Sequence, residues 1–208
     1  MAEATLAFRP SRHGFHFAND WPRGAPARLG PVTLFRIRGG MCGGMCVAAR
    51  RSWQAGAPVP PDTAAPTAGT LADQIWHAQL ASLRLPLGPL RYLWLQLPVV
   101  SAGTRRRITL GEALPALRQS IADGVPQVLG LVRTVAWSPF AASRNHQVLA
   151  YGYEVIGGQP PGQPADRVDV LIYDPNLPDD DGVRLAVYPD GRVEHPDGGL
   201  VAAAFPTG

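Results

Sequence analysis

The stretch "HQVLAYGYEV", residues 146–155, decides how the second half of the chain is read. Its β-branched and aromatic residues, in a short run with turn formers on either side, are the composition of a strand. Three more runs of the same kind surround it: "PQVLGLVRTV" (126–135), "RVDVLIYD" (167–174) and "VRLAVY" (183–188). The last of these ends in "PDG" (189–191), which predicts a hairpin turn. Together they predict a mostly antiparallel sheet.

The first 125 residues predict helices instead. "MCVAARRSW" has no helix breaker and is rich in Ala, Arg and Met, which predicts a helix from about Cys42 to Trp53. "TLADQIWHAQLASLRL" (70–85) places Leu71, Ile75, Trp76, Leu80 and Leu83 at helical spacing, with Thr70 and Asp73 able to cap its start. "PLRYLWLQL" (89–97) predicts a further helix. "TLGEALPALRQSIADG" (109–124) predicts another, opening on a Thr109–Glu112 capping box, closing at Gly124 and kinked or restarted at Pro115. Upstream lie an irregular opening with Phe15, Phe17 and Trp21, and "VTLFRI" (32–37), a short strand or an extended approach to the glycines beyond it. "APVPPDTAAPTAG" (57–69) is a proline-rich surface connection, too short to separate independent domains. Helices succeeded by an antiparallel sheet give an α+β fold of two packed layers. The whole of 1–208 forms one unit, helical over about 40–125 and sheet over about 126–208.

Composition narrows the function. A chain of 208 residues that is 46% hydrophobic can bury a substantial core. The formal net charge is +3 and all 19 basic residues are arginine. The one cluster, Arg105, Arg106 and Arg107, has no interleaved aromatics and reads as a solvated loop, so nucleic acid is not expected as a partner. "MAEATLAFRPSRHGFHFAND" (1–20) lacks the pattern of a secretory signal, and no apolar run reaches the length of a membrane span. The expectation is a cytoplasmic protein, or one exported without a cleavable signal as an effector.

The chemistry centres on "GGMCGGMCVAARRSW" (39–53), which holds both cysteines of the chain, Cys42 and Cys46. Four apart on a helix, their side chains run parallel, a poor geometry for a disulfide. Zinc would need two further ligands, and the five histidines, at 13, 16, 77, 146 and 195, are scattered. Reactivity or packing remains. Cys46, one turn inside the helix, reads as a small buried hydrophobe. Cys42 stands at the expected helix start, where backbone N–H groups and the helix dipole favour a thiolate and could hold an oxyanion, and the glycines would let a substrate backbone approach. A nucleophile needs a base, and the base an orienter. His146 opens one strand and Asp174 closes the next, so antiparallel pairing would bring them to one sheet edge. A solvated histidine and a turn-forming Asp-Pro pair are the bland alternative.

"GFHFAND", "CGGM", "NHQVLAYGY" and "YDPNLP", in this order over about residues 13–188, resemble the papain-like cysteine peptidase superfamily in a bacterial branch. The resemblance implies a helical lobe packed on a sheet lobe with a cleft between them. It also implies a nucleophile at Cys42, a base at His146 and a third member at Asp174, with Asn176 next in line. Members carry a Gln about six residues before the nucleophile as oxyanion donor, and no Gln stands between Met1 and Cys42. Asn19 is the side-chain candidate for that role, beside backbone N–H groups. The activity this resemblance implies is that of a thiol hydrolase acting on a protein or peptide substrate, without cofactor or metal. The alternatives are an acyltransferase acting on a single partner and a non-catalytic binding module of the same fold. Trp137 and Trp21 are candidate cleft walls. "DPNLPDDDG" (174–182) offers carboxylates to calcium, but it lacks the spacing and the final glutamate of a twelve-residue calcium loop, and its other reading is a solvated acidic turn.

Overall fold

The computed structural model describes residues 3–21, 24–29, 32–37, 40–84, 87–157 and 165–207, with side chains left aside over 25–29 and 32–37. Gly39, at the head of the cysteine segment, lies outside the described residues. The elements in chain order begin with strand β1 (Glu3–Thr5), helix α1 (Pro10–His13), strands β2 (Ala25–Leu29) and β3 (Val32–Ile37), and helix α2 (Cys42–Gln54). Next come helices α3 (Thr70–Leu83), α4 (Leu87–Gln96) and α5 (Ala102–Ile108), then a π turn over Thr109–Ala113 that runs into α6 (Leu114–Ala122). The sheet-rich part has β4 (Gln127–Val132), a 3-10 helix at Pro139–Arg144, β5 (His146–Ile156), β6 (Arg167–Tyr173), β7 (Arg184–Val187), β8 (Val193–Glu194), β9 (Leu200–Val201) and β10 (Ala203–Thr207).

The fold is α+β, helix-rich first and antiparallel sheet second. The main sheet runs β10-β4-β5-β6-β7-β8-β9, and every pairing is antiparallel. β5 is the long central strand. On one edge it pairs with β6; on the other it meets β4 along its first half and β1 along its second. Val32–Ile37 is a strand as expected, paired with β2 in a separate hairpin. The "PDG" turn forms too, with Gly191 at φ 82 and β7 turning into β8.

The expected two layers are in fact three. Leu149 and Tyr151 of β5, with Leu171 and Tyr173 of β6, pack with Met45, Cys46 and Ile75 of α2 and α3. Their neighbours Val148, Ala150, Val170 and Ile172 pack on the opposite face with Leu117 and Ile121 of α6. Residues of one strand alternate between faces, so stretches apolar at every position, such as Val148–Tyr151 and Val170–Tyr173, must be covered on both sides.

Other local expectations also fail for identifiable reasons. Arg105–Arg107 is no solvated loop: it lies in α5, and the buried Arg105 donates from Nε to Leu95 O at 2.9 Å and from Nη2 to Leu97 O at 2.8 Å. A guanidinium here caps the carbonyls that α4 leaves open at its end. The Thr109–Glu112 capping box does not start a helix, because α5 continues through the π turn, and Thr109 Oγ1 instead accepts the Ala204 N–H at 3.0 Å. α3 starts after Gly69 at φ 88, so the N-cap is a glycine and Thr70 is already the first helical residue.

Candidate functional site

Cys42 is the first residue of α2, and its helix start is built by its neighbours. Asn19 Oδ1 accepts the Met41 N–H at 2.6 Å and the Trp21 Nε1–H at 3.2 Å, while Gln79 Oε1 accepts the Gly44 N–H at 2.7 Å. These side chains satisfy donors that a helix N-terminus leaves open. The glycines make room for this assembly. A Cβ at Gly40 would stand 1.9 Å from Asn19 Nδ2, one at Gly43 1.9 Å from Gln147 Oε1, and one at Gly44 2.3 Å from the Ile75 carbonyl oxygen. Room at Gly44 lets α2 and α3 cross closely.

β5 meets this helix start. His146, its first residue, stands beside Cys42, close enough for its charge and ring to act on the thiol, as do the backbone groups of Gln147 and Gly43. His146 Nε2 lies 2.6 Å from Asp174 Oδ1, which leaves Nδ1 as the ring nitrogen for the thiol. The proximity comes from register: Leu149 faces Tyr173 across the β5–β6 ladder, so the start of one strand and the residue after the other share an edge. Asn176 supports the pair, its N–H donating to Asp174 Oδ1 at 2.8 Å and its Nδ2 lying 3.3 Å from His146 Nε2. Asn19 Nδ2 donates to Asn176 Oδ1 at 3.3 Å, which ties the segment before α2 to the loop after β6.

The electrostatics arise from this packing. Burial works to raise the Cys42 pKa, but the charge and hydrogen bond of His146 with the two backbone donors outweigh it, and the pKa falls below that of an ordinary thiol. For His146, burial works downward, and the Cys42 thiolate and Asp174 push the pKa up to about 10. Burial opposes ionisation of Asp174, yet its hydrogen bonds to His146 and His195 hold it well below the usual carboxylate range. Cys46 is the contrast: it is fully buried in the apolar core, which drives its pKa well above normal, and its thiol donates weakly to Gln147 O at 3.6 Å. Both thiols are free.

Cys42, half-buried, opens with Asn19, Gly40, His146 and Asn176 onto a cleft of about 750 Å³. Leu83, Leu93 and Leu200 add apolar surface to it. The tryptophans expected as walls lie elsewhere: Trp21 is buried beneath Asn19, and Trp137 is 67% exposed outside the lining. One residue that no sequence motif singles out belongs to the site. His195, just beyond β8, places Nε2 2.8 Å from Asp174 Oδ2.

The acidic turn is committed to the protein's own donors. Asp179 Oδ1 pairs with His16 Nδ1 at 2.6 Å, Asp180 Oδ1 accepts the Gly182 N–H at 2.7 Å, and Asp181 accepts both the N–H and the hydroxyl of Ser11. Among the described residues no cluster of three or more His, Cys, Asp or Glu is arranged to hold a metal ion, and no helix is long and apolar enough to cross a membrane.

No protein-family model matches this chain, and neither a curated protein nor a solved structure is similar to it.

Proposed function

We propose that the protein is a papain-like thiol hydrolase, a cysteine peptidase acting through Cys42, His146 and Asp174. What supports this reading is that Cys42 and His146 line one cleft, with His146 lowering the thiol pKa, and that His146 Nε2 lies 2.6 Å from the buried Asp174 carboxylate. The protonated His146 and the Cys42 thiolate form an ion pair before substrate arrives. The thiolate attacks the carbonyl carbon of a peptide bond, and the C–S bond forms as the carbonyl electron pair moves to oxygen. His146 then gives its proton to the departing amine, the C–N bond breaks, and a thioester remains. Water loses a proton to His146 and attacks the thioester; the C–S bond breaks and the ion pair returns. Asp174 holds the ring and its charge throughout.

The Met41 and Gly44 N–H groups are already taken. The oxyanion is therefore met by the Cys42 N–H and by the second hydrogen of Asn19 Nδ2. Apolar residues around the cleft fit an extended polypeptide with hydrophobic side chains near the cut.

A thiol reagent at pH 6, with peptide mapping of the product, tests the nucleophile. Cys42 is expected to alkylate and Cys46 to resist, and Cys42→Ser abolishes both alkylation and the thioester formed with activated peptide esters while far-ultraviolet circular dichroism is unchanged. Alkylation of Cys46 in place of Cys42 would overturn the assignment. A reactive Cys42 that forms no thioester with any peptide or ester would favour a binding module that kept the fold.

A further inference from the structure

The carboxylate of Asp174 faces two imidazoles. Oδ1 is held by His146 and by the Asn176 N–H, whereas Oδ2 lies against His195 Nε2 at 2.8 Å. The His195 side chain is 1% exposed, and its Nδ1 faces Asp197, 2.9 Å from Oδ1 and 3.3 Å from the backbone nitrogen. Asp197 is gripped in turn by Arg133, whose Nη2 donates to both carboxylate oxygens at 2.8 and 2.7 Å. Arg133 and Asp197 line the same cleft as Cys42. If packing alone were served here, an apolar side chain would fill the space without the cost of burying an imidazole.

We propose that His195 is a positioning residue of the site: it fixes the second oxygen of Asp174, keeps the first aimed at His146, and anchors the Cys42–His146–Asp174 set to the Arg133–Asp197 pair on the cleft wall. This deepens the thiol-hydrolase reading and rests on it. A carboxylate held by one oxygen can swing about its Cβ–Cγ bond, and a buried one that loses a donor tends to take up a proton. Either change withdraws the negative charge that keeps His146 protonated. The groups facing Asp174 are His146, His195, the Asn176 N–H and, from α2, Cys46; those facing His195 are Asp174 and Asp197, the latter bound to Arg133.

The test is the pH dependence of Cys42 alkylation, which reads the ion pair without requiring turnover. His195→Leu should lower the rate at pH 6 about tenfold, the effect of one pKa unit, while the rate at pH 10, where thiolate forms unaided, stays level. His195→Gln, whose amide can still donate to Asp174, should restore the pH 6 rate to within about twofold. A folded His195→Leu protein with the wild-type profile would overturn the proposal while leaving the Cys42 reading intact. A wild-type protein with no reactive thiol at pH 6 would overturn both. Should His195→Leu not fold, nitrogen-15 imidazole spectra of the wild-type protein decide: Nε2 of His195 must carry a proton at neutral pH, and a bare Nε2 sinks the proposal.

Discussion

At the scale of single residues, Asn19 carries two jobs that one substitution can separate. Its Oδ1 holds the Met41 N–H, and its Nδ2 donates to Asn176 Oδ1 and, in the proposed mechanism, to the oxyanion. Asn19→Asp keeps the acceptor and removes the donor. The bond to Asn176 is lost with the donor, so the melting temperature falls, while acylation by an activated ester, divided by the alkylation rate to remove any change in the thiol, falls about a hundredfold to a thousandfold. An unchanged ratio would leave the backbone as sole donor. Asp174 gives a prediction in pH. Its folded-state pKa is depressed, so the stability it contributes is fully present above its unfolded pKa of about 3.9 and is lost as the pH falls through the folded value. The gap between urea midpoints of the parent and Asp174→Asn should therefore be constant from pH 6 to about pH 4 and narrow steadily as the pH falls further; a gap that does not narrow would mean that the charge on Asp174 contributes nothing. Cys42, His146 and Asp174 are legible in the sequence because each stands at the end of an element that its own neighbours specify. His195 is not, since only the path of β7 and β8 brings it to Asp174, and nothing in "VEHPDGG" records that path.

At the scale of elements, the sequence reads well where local composition decides and poorly where a partner decides. The four strand runs form as β4 to β7, and the α2, α3 and α4 segments are helices. The π turn packs against β10, with Thr109 and Ala204 95 residues apart, and Arg105 is buried by bonds to the end of the preceding helix α4 that no pattern within its own helix records. β1 and β10 are short and are held as strands by pairing with β5 and β4. The third layer is written in the sequence as "VLAY" (148–151) and "VLIY" (170–173), apolar without alternation; a sheet of two layers would leave half of those side chains in water. Two substitutions test the element contacts. Gly44→Ala sets a methyl against the Ile75 carbonyl oxygen and should destabilise the fold by about 1–3 kcal/mol, measured by denaturant unfolding. Arg105→Met leaves the Leu95 and Leu97 carbonyls without their donor, at about 1–3 kcal/mol. A neutral result in either case would mean that α3 or α4 shifts freely to compensate.

Across the whole molecule, the site draws on widely separated stretches of chain: the segment before α2, the start of α2, the two central strands and the turn beyond β8. Asn19 and Asn176 are 157 residues apart, and Cys46 and Gln147 are 101 apart. Contacts of such separation form late, because the loops they close are costly until the core rewards them. Before β5 docks on α2, Cys42 has neither His146 nor the Gln147 N–H beside it and is an ordinary thiol. On the thiol-hydrolase reading proposed above, the distance along the chain would act as a safety catch: a half-folded molecule would have no armed nucleophile with which to cut its neighbours or itself, and reactivity would arrive only with the finished sheet.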